Sequence, residues 1–92
     1  MAQYPRHNTA AISTATTTTV ATGTGTLHTI TVLGGTLGAI TVYDNTAGSG
    51  ATICPAFTPA AGAMETLTFD VGFKTGLTIV TAAATVLQVS YS

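Results

Sequence analysis

Four side chains in this sequence belong to types that carry nucleophilic chemistry: His28, Asp44, Cys54 and Asp70. A thiol, an imidazole and a carboxylate in hydrogen-bond contact would form a Cys-His-Asp site. The neighbouring residues favour a plainer reading. No Gly-rich elbow flanks Cys54, which sits in a short apolar run and reads as a small buried hydrophobe. His28 falls on the same alternation as Ile30 and Val32 and reads as a sheet or interface residue. No catalytic residue is assigned, and the chain is expected to be non-enzymatic.

Metal and phosphate chemistry find little support. Zinc takes three or four Cys, His, Asp or Glu ligands, and His7, His28 and Cys54 show no ligand spacing. Asp44-Asn45 opens a turn of the kind that can face calcium, but hard cations usually collect several carboxylates. Asp44 is expected to cap that turn instead. Gly48-Ser49-Gly50 and Gly72-Phe73-Lys74-Thr75 look like phosphate loops only superficially. A P-loop needs G-x-x-x-x-G-K-[ST] between a strand and a helix. Here no Gly precedes Lys74 at the required place and no helical pattern follows. Neither a metal nor a cofactor is expected. The spacings Thr22/Thr24/Thr26, Thr29/Thr31 and Thr66/Thr68 could suggest an ice-binding array, but they fall at irregular intervals and read as solvent faces of strands. Tyr4, Tyr43 and Tyr91 are too scattered for a sugar platform, and Trp is absent.

Composition narrows the partners. Charged residues make up 5% of the 92 residues, against roughly 25% in an average soluble domain. The bases are Arg6 and Lys74 and the acids Asp44, Glu65 and Asp70, for a net charge of -1. Two cations cannot displace the counterions of a nucleic acid, nor make a polybasic membrane-surface segment. Mean hydropathy is +0.50, yet Thr and Gly break every apolar run well short of the ~20 residues a spanning helix needs. No charged start followed by an apolar core marks a secretory signal. Cys54 stands alone, so no internal disulfide can form. A domain this small usually draws on disulfides, metal or oligomerisation, and oligomerisation is the remaining candidate.

The elements that would position these side chains are all strands. Residues 1–24 run into a Thr/Ala tract with Thr16–Val20 at its centre. Thr favours extended backbone, but such a tract cannot bury enough apolar area to fold alone. Residues 1–24 are therefore read either as an extended arm with one strand near 16–21, ordered on another surface, or as a floppy tail. From Gly25 the alternation is strand and turn: 27–33, 37–43, 51–54 (ended or placed at an edge by Pro55), 64–73, 77–81 and 85–91. Thr-Leu-His-Thr-Ile-Thr-Val (26–32) and Thr-Leu-Gly-Ala-Ile-Thr-Val (36–42) nearly repeat across Gly34-Gly35 and read as a hairpin. In 64–73, Leu67, Phe69, Val71 and Phe73 are expected on one face. No stretch has helical periodicity. Short strands with frequent turns predict an all-β fold, a small antiparallel β-sandwich of jelly-roll type over residues 25–92, with the arm at 1–24. Edge strands of soluble sheets are usually guarded by Lys, Pro or bulges. The scarcity of charge here implies edges covered in a multi-chain assembly.

The phrases at 25–32, 40–45 (Ile-Thr-Val-Tyr-Asp-Asn), 69–81 (Phe-Asp-Val-Gly-Phe-Lys-Thr-Gly-Leu-Thr-Ile-Val-Thr) and 86–91 (Val-Leu-Gln-Val-Ser-Tyr) carry a resemblance. This part of the chain resembles small virion proteins of tailed bacteriophages, of the capsid cement (decoration) type. The likeness lies in the rhythm of strands and turns and transfers no site residues. It implies a virion protein made in the host cytoplasm and seated on the capsid exterior. Its partner would be the major capsid protein, with a homotrimer favoured and neither nucleic acid nor membrane bound. The alternative is a tail or fibre component, or a receptor- or sugar-binding β-sandwich module with its tip loops at 44–50 and 55–62.

Overall fold

β-Branched residues and Gly turns carry the described residues back and forth through eight strands. A computed structural model describes residues 8–59 and 65–92. The strands are β1 (Asn8–Ile12), β2 (Thr17–Thr22), β3 (Gly25–Gly35), β4 (Ile40–Tyr43), β5 (Thr52–Phe57), β6 (Glu65–Phe73), β7 (Gly76–Thr81) and β8 (Thr85–Tyr91). Every pairing is antiparallel: β1 with β8, β2 with β7, β3 with β6 and β4 with β5. The chain is thus one long hairpin whose successive rungs alternate between two sheets. Pairings β3–β8 and β4–β7 complete the sheets in the orders β1-β8-β3-β6 and β2-β7-β4-β5. That wound hairpin is the eight-stranded jelly roll, an all-β sandwich.

The inner faces meet in one core. The first sheet contributes Ile12, Leu27, Ile30, Val32, Leu87 and Val89, and the second Ile40, Val42, Leu77 and Ile79. Phe73, at the end of β6, is the largest fully buried side chain among the described residues, at 2% exposure. Gly25 lies beside it. A Cβ at Gly25 would stand 2.5 Å from the Phe73 ring and 2.5 Å from the Ser92 carbonyl oxygen, so only glycine fits there.

Several sequence expectations change in three dimensions. The segment read as an arm is extended, but residues 8–22 lie on this chain's own sheets as β1 and β2. Ile12 reaches the core, and Thr17–Thr22 pair with Val80–Gly76. A Thr/Ala tract that cannot fold alone needs a hydrogen-bonded neighbour, and β7 and β8 supply it. The near-repeat at 26–32 and 36–42 is not a hairpin, because β3 and β4 belong to different sheets. Gly34 and Gly35 have φ of 136° and 79°, backbone open to glycine, and turn the chain out of the first sheet. Of the two expectations for Pro55, the edge position holds: β5 runs through it along the edge of the second sheet, where a missing N–H is tolerated. Residues 1–7 and 60–64 lie outside the described residues.

Candidate functional site

The outer face of the first sheet gathers the residues that the sequence offered as scattered Thr pairs. Along one row, Thr9 stands opposite Ser90, Ser90 opposite Thr29, and Thr29 opposite Thr68. Along the next, Ala11 stands opposite Gln88, Gln88 opposite Thr31, and Thr31 opposite Thr66. Side chains alternate across a strand, so the intervening Val89 and Ile30 point into the core, both fully buried. The two rows form a ladder across all four strands without one charge. Neighbouring strands lie about 4.8 Å apart. Thr31 and Thr66 hydroxyls are 3.3 Å apart, tying β3 to β6 on the outside.

A second polar group closes one end of this sheet. Between Leu27 and Thr29 the registers with both β6 and β8 slip. Leu27 and Ile30 are both fully buried, though three residues apart. The irregularity therefore takes His28 off the alternation of Ile30 and Val32 that the sequence suggested. On β6 the extra residues opposite it include Asp70, at φ 46°, a left-handed conformation that Asp tolerates better than most residues. The same break spoils the one-sided pattern expected of 64–73. Phe73 is buried and Leu67 and Phe69 half-buried, but Val71 is 36% exposed.

His28 Nδ1 lies 3.1 Å from Asp70 Oδ1, and its Nε2 lies 3.0 Å from Ser92 Oγ. An ionised carboxylate only accepts, so Nδ1 is the donor, and the Nε2 of a neutral ring accepts the Ser92 hydroxyl. The order carboxylate, imidazole, hydroxyl is that of an acyl-transfer triad. Such a site also needs backbone N–H groups aimed at an oxyanion. The N–H of Ser92 instead donates to the Thr26 carbonyl at 2.8 Å. These contacts link the end of the chain after β8 to the bulge. Sequence spacing gave no hint of Ser92, because the bulge that brings it near His28 is a product of strand pairing.

Of the four residues offered for a Cys-His-Asp site, the structure joins only His28 and Asp70. Cys54 lies on β5 in the other sheet. It opens on a shallow groove of about 350 Å³ shared with Phe57, Thr66, Leu67, Thr68 and Phe69. Burial pushes its thiol above the usual value of 9.0, away from the thiolate that a nucleophile needs.

Asp44 does not cap its own turn. Its Oδ1 accepts the N–H groups of Lys74 and Thr75, each at 2.9 Å, and of Gly76 at 3.4 Å. Asn45 caps the 44–50 loop instead, donating to the Ser49 carbonyl and accepting from the Thr46 N–H, both at 2.8 Å. The Thr75 N–H above all, with those of Lys74 and Gly76 and the Lys74 charge, holds the Asp44 carboxyl below its usual value of 3.8. A depressed folded-state value adds stability above the unfolded value and loses it as pH falls through the folded one. Asp44→Asn is therefore expected to lower the thermal midpoint at neutral pH. The deficit should shrink below pH 3.8 as the native carboxylate becomes protonated. Thermal melts of both proteins across acid pH check this.

No protein-family model, curated protein or solved structure matches this chain. Among the described residues no three His, Cys, Asp or Glu side chains gather as a metal site.

Proposed function

We propose that this chain is a non-enzymatic structural protein of a tailed-phage virion, a capsid cement (decoration) protein. In this reading it binds the outer surface of the major capsid protein as an oligomer and stabilises the shell. The observation that carries the reading is the uncharged ladder of Thr, Ser and Gln across the first sheet. A broad hydroxyl face without fixed charge suits contact with another protein surface. It can form many hydrogen bonds and leaves no buried charge unpaired. The jelly roll fits, since this architecture recurs in capsid proteins. The scarcity of charge fits an exterior position better than contact with packaged DNA.

The test is co-sedimentation of the purified chain with shells assembled from the major capsid protein of a tailed phage. Wild-type protein is expected to pellet with the shells and raise their temperature of disruption. Thr31→Lys, which places a charge mid-ladder on an outward position, is expected to stay in the supernatant while remaining folded by circular dichroism. Wild-type protein that never pellets, at any concentration, would remove the cement role. The 44–50 loop supports the tail-fibre alternative, because Asn45 and Asp44 hold a largely exposed loop in one shape. Retention on host cells, lost when 46–50 are replaced, would favour it.

A further inference from the structure

The four edge strands are not equally defended. In the second sheet, β5 carries Pro55 and β2 has a register break between Thr19 and Ala21. In the first sheet, β6 carries Asp70 and the bulge beside it. These are the devices that keep sheet edges from pairing with another chain. β1 has none of them. Asn8-Thr9-Ala10-Ala11-Ile12 contains no charge, no Pro and no Gly, and it pairs with β8 in five consecutive, unbroken steps. Among the described residues β8 is its one strand neighbour.

We infer that β1 pairs antiparallel with β1 of a second copy of this chain, joining the two first sheets about a twofold axis. The occupant is chosen by charge and register. An uncharged backbone edge takes an uncharged extended strand with no unpaired charge left at the seam. β1 is itself such a strand. Centred on Ala10, every residue finds a partner: Ala10 opposite Ala10, Thr9 opposite Ala11, Asn8 opposite Ile12. Directly opposed residues share a face, so Thr9 and Ala11 keep both ladders on the same outer surface. Each row then runs from Thr68 through Thr29, Ser90 and Thr9 into Ala11, Gln88, Thr31 and Thr66 of the copy. Eight strands at about 4.8 Å spacing make a face about 34 Å across. A threefold ring built by strand pairing would have to join β1 head-to-tail with a different edge, and the other three are guarded. The strand pairing therefore favours a dimer over the trimer that the phage resemblance implies. This deepens the multi-chain part of the proposed function, but it concerns the purified chain alone.

The test is light scattering on the wild-type chain and on Thr9→Lys/Ala11→Lys. Both positions are exposed, so the variant is expected to fold. The wild type should have twice the 9.2 kDa chain mass. The lysine variant should be monomeric, with dimer affinity reduced more than tenfold, because Lys at 9 would face Lys at 11 of the copy. Gln88→Lys, on the neighbouring interior strand, should leave the dimer intact. Mixing the lysine variant with Thr9→Glu/Ala11→Glu should restore a dimer containing one of each. A monomeric or trimeric wild type, or a lysine variant that stays dimeric, would overturn the pairing. Failure of capsid binding with the dimer intact would count against the cement role and leave the pairing standing.

Discussion

Phe73→Ala is expected to cost about 3–5 kcal/mol, the range for emptying a buried aromatic site. A domain of this length is held by roughly 5–14 kcal/mol in total. One side chain thus carries a large share of the folded state. Phe73 is 2% exposed and closes the core where β3 begins and β6 ends. Its ring packs over Gly25, which has no side chain to move into the space. Collapse around the cavity is therefore restricted, and the loss should fall toward the upper end of that range. Urea unfolding followed by circular dichroism measures it. Leu33→Ala is the control: Leu33 is 43% exposed, and its truncation should change stability by less than about 1 kcal/mol. Equal effects at the two positions would mean that the core is not centred where the structure puts it.

Thr78→Val is the second large effect, expected to cost about 1–3 kcal/mol although the side chain keeps its shape. Thr78 has no exposed surface. Its hydroxyl donates to the Asn45 carbonyl at 2.7 Å and lies 3.4 Å from the Thr19 hydroxyl. Valine leaves that carbonyl without its buried donor while adding a methyl suited to a strand. A neutral or stabilising outcome would show that water replaces the hydroxyl at no cost. The consequence should be local as well as global. Asn45 adjoins Asp44, which holds the β6–β7 turn, so amide exchange at Lys74–Gly76 should quicken more than in the middle of β8. Thr85 and Thr81 work in the same way. Thr85 donates to the Thr36 carbonyl at 2.7 Å, and Thr81 to the Thr14 carbonyl at 2.7 Å.

These buried threonines mark the limit of sequence reading. In 77–81, Leu77 and Ile79 alternate onto one face, and both are fully buried. Thr78 falls on the opposite face, and that face is covered too, by the 44–50 loop. Nothing local tells Thr78 from Thr66, which stays exposed. The same holds for the carboxylates. Asp44 was legible as a capping residue, but the turn it caps lies some thirty residues away. The Thr pairs 29/31 and 66/68 were legible as outward-facing positions. That they form one ladder with Ser90, Gln88 and Thr9 depends on which strands are neighbours.

Composition and period determined the all-β class and six strands from residue 25 onward, because side-chain alternation and turn residues act within a few positions. Tertiary structure decided what lies far apart in sequence: residues 8–22 as full members of both sheets, the separation of β3 from β4, and the bulge that joins His28 to Asp70 and Ser92. Each of these follows from long-range strand pairing, whose register is set by partners as far apart as Asn8 and Tyr91. A local pattern states which face a residue prefers, but only the assembled sheet determines what that face meets.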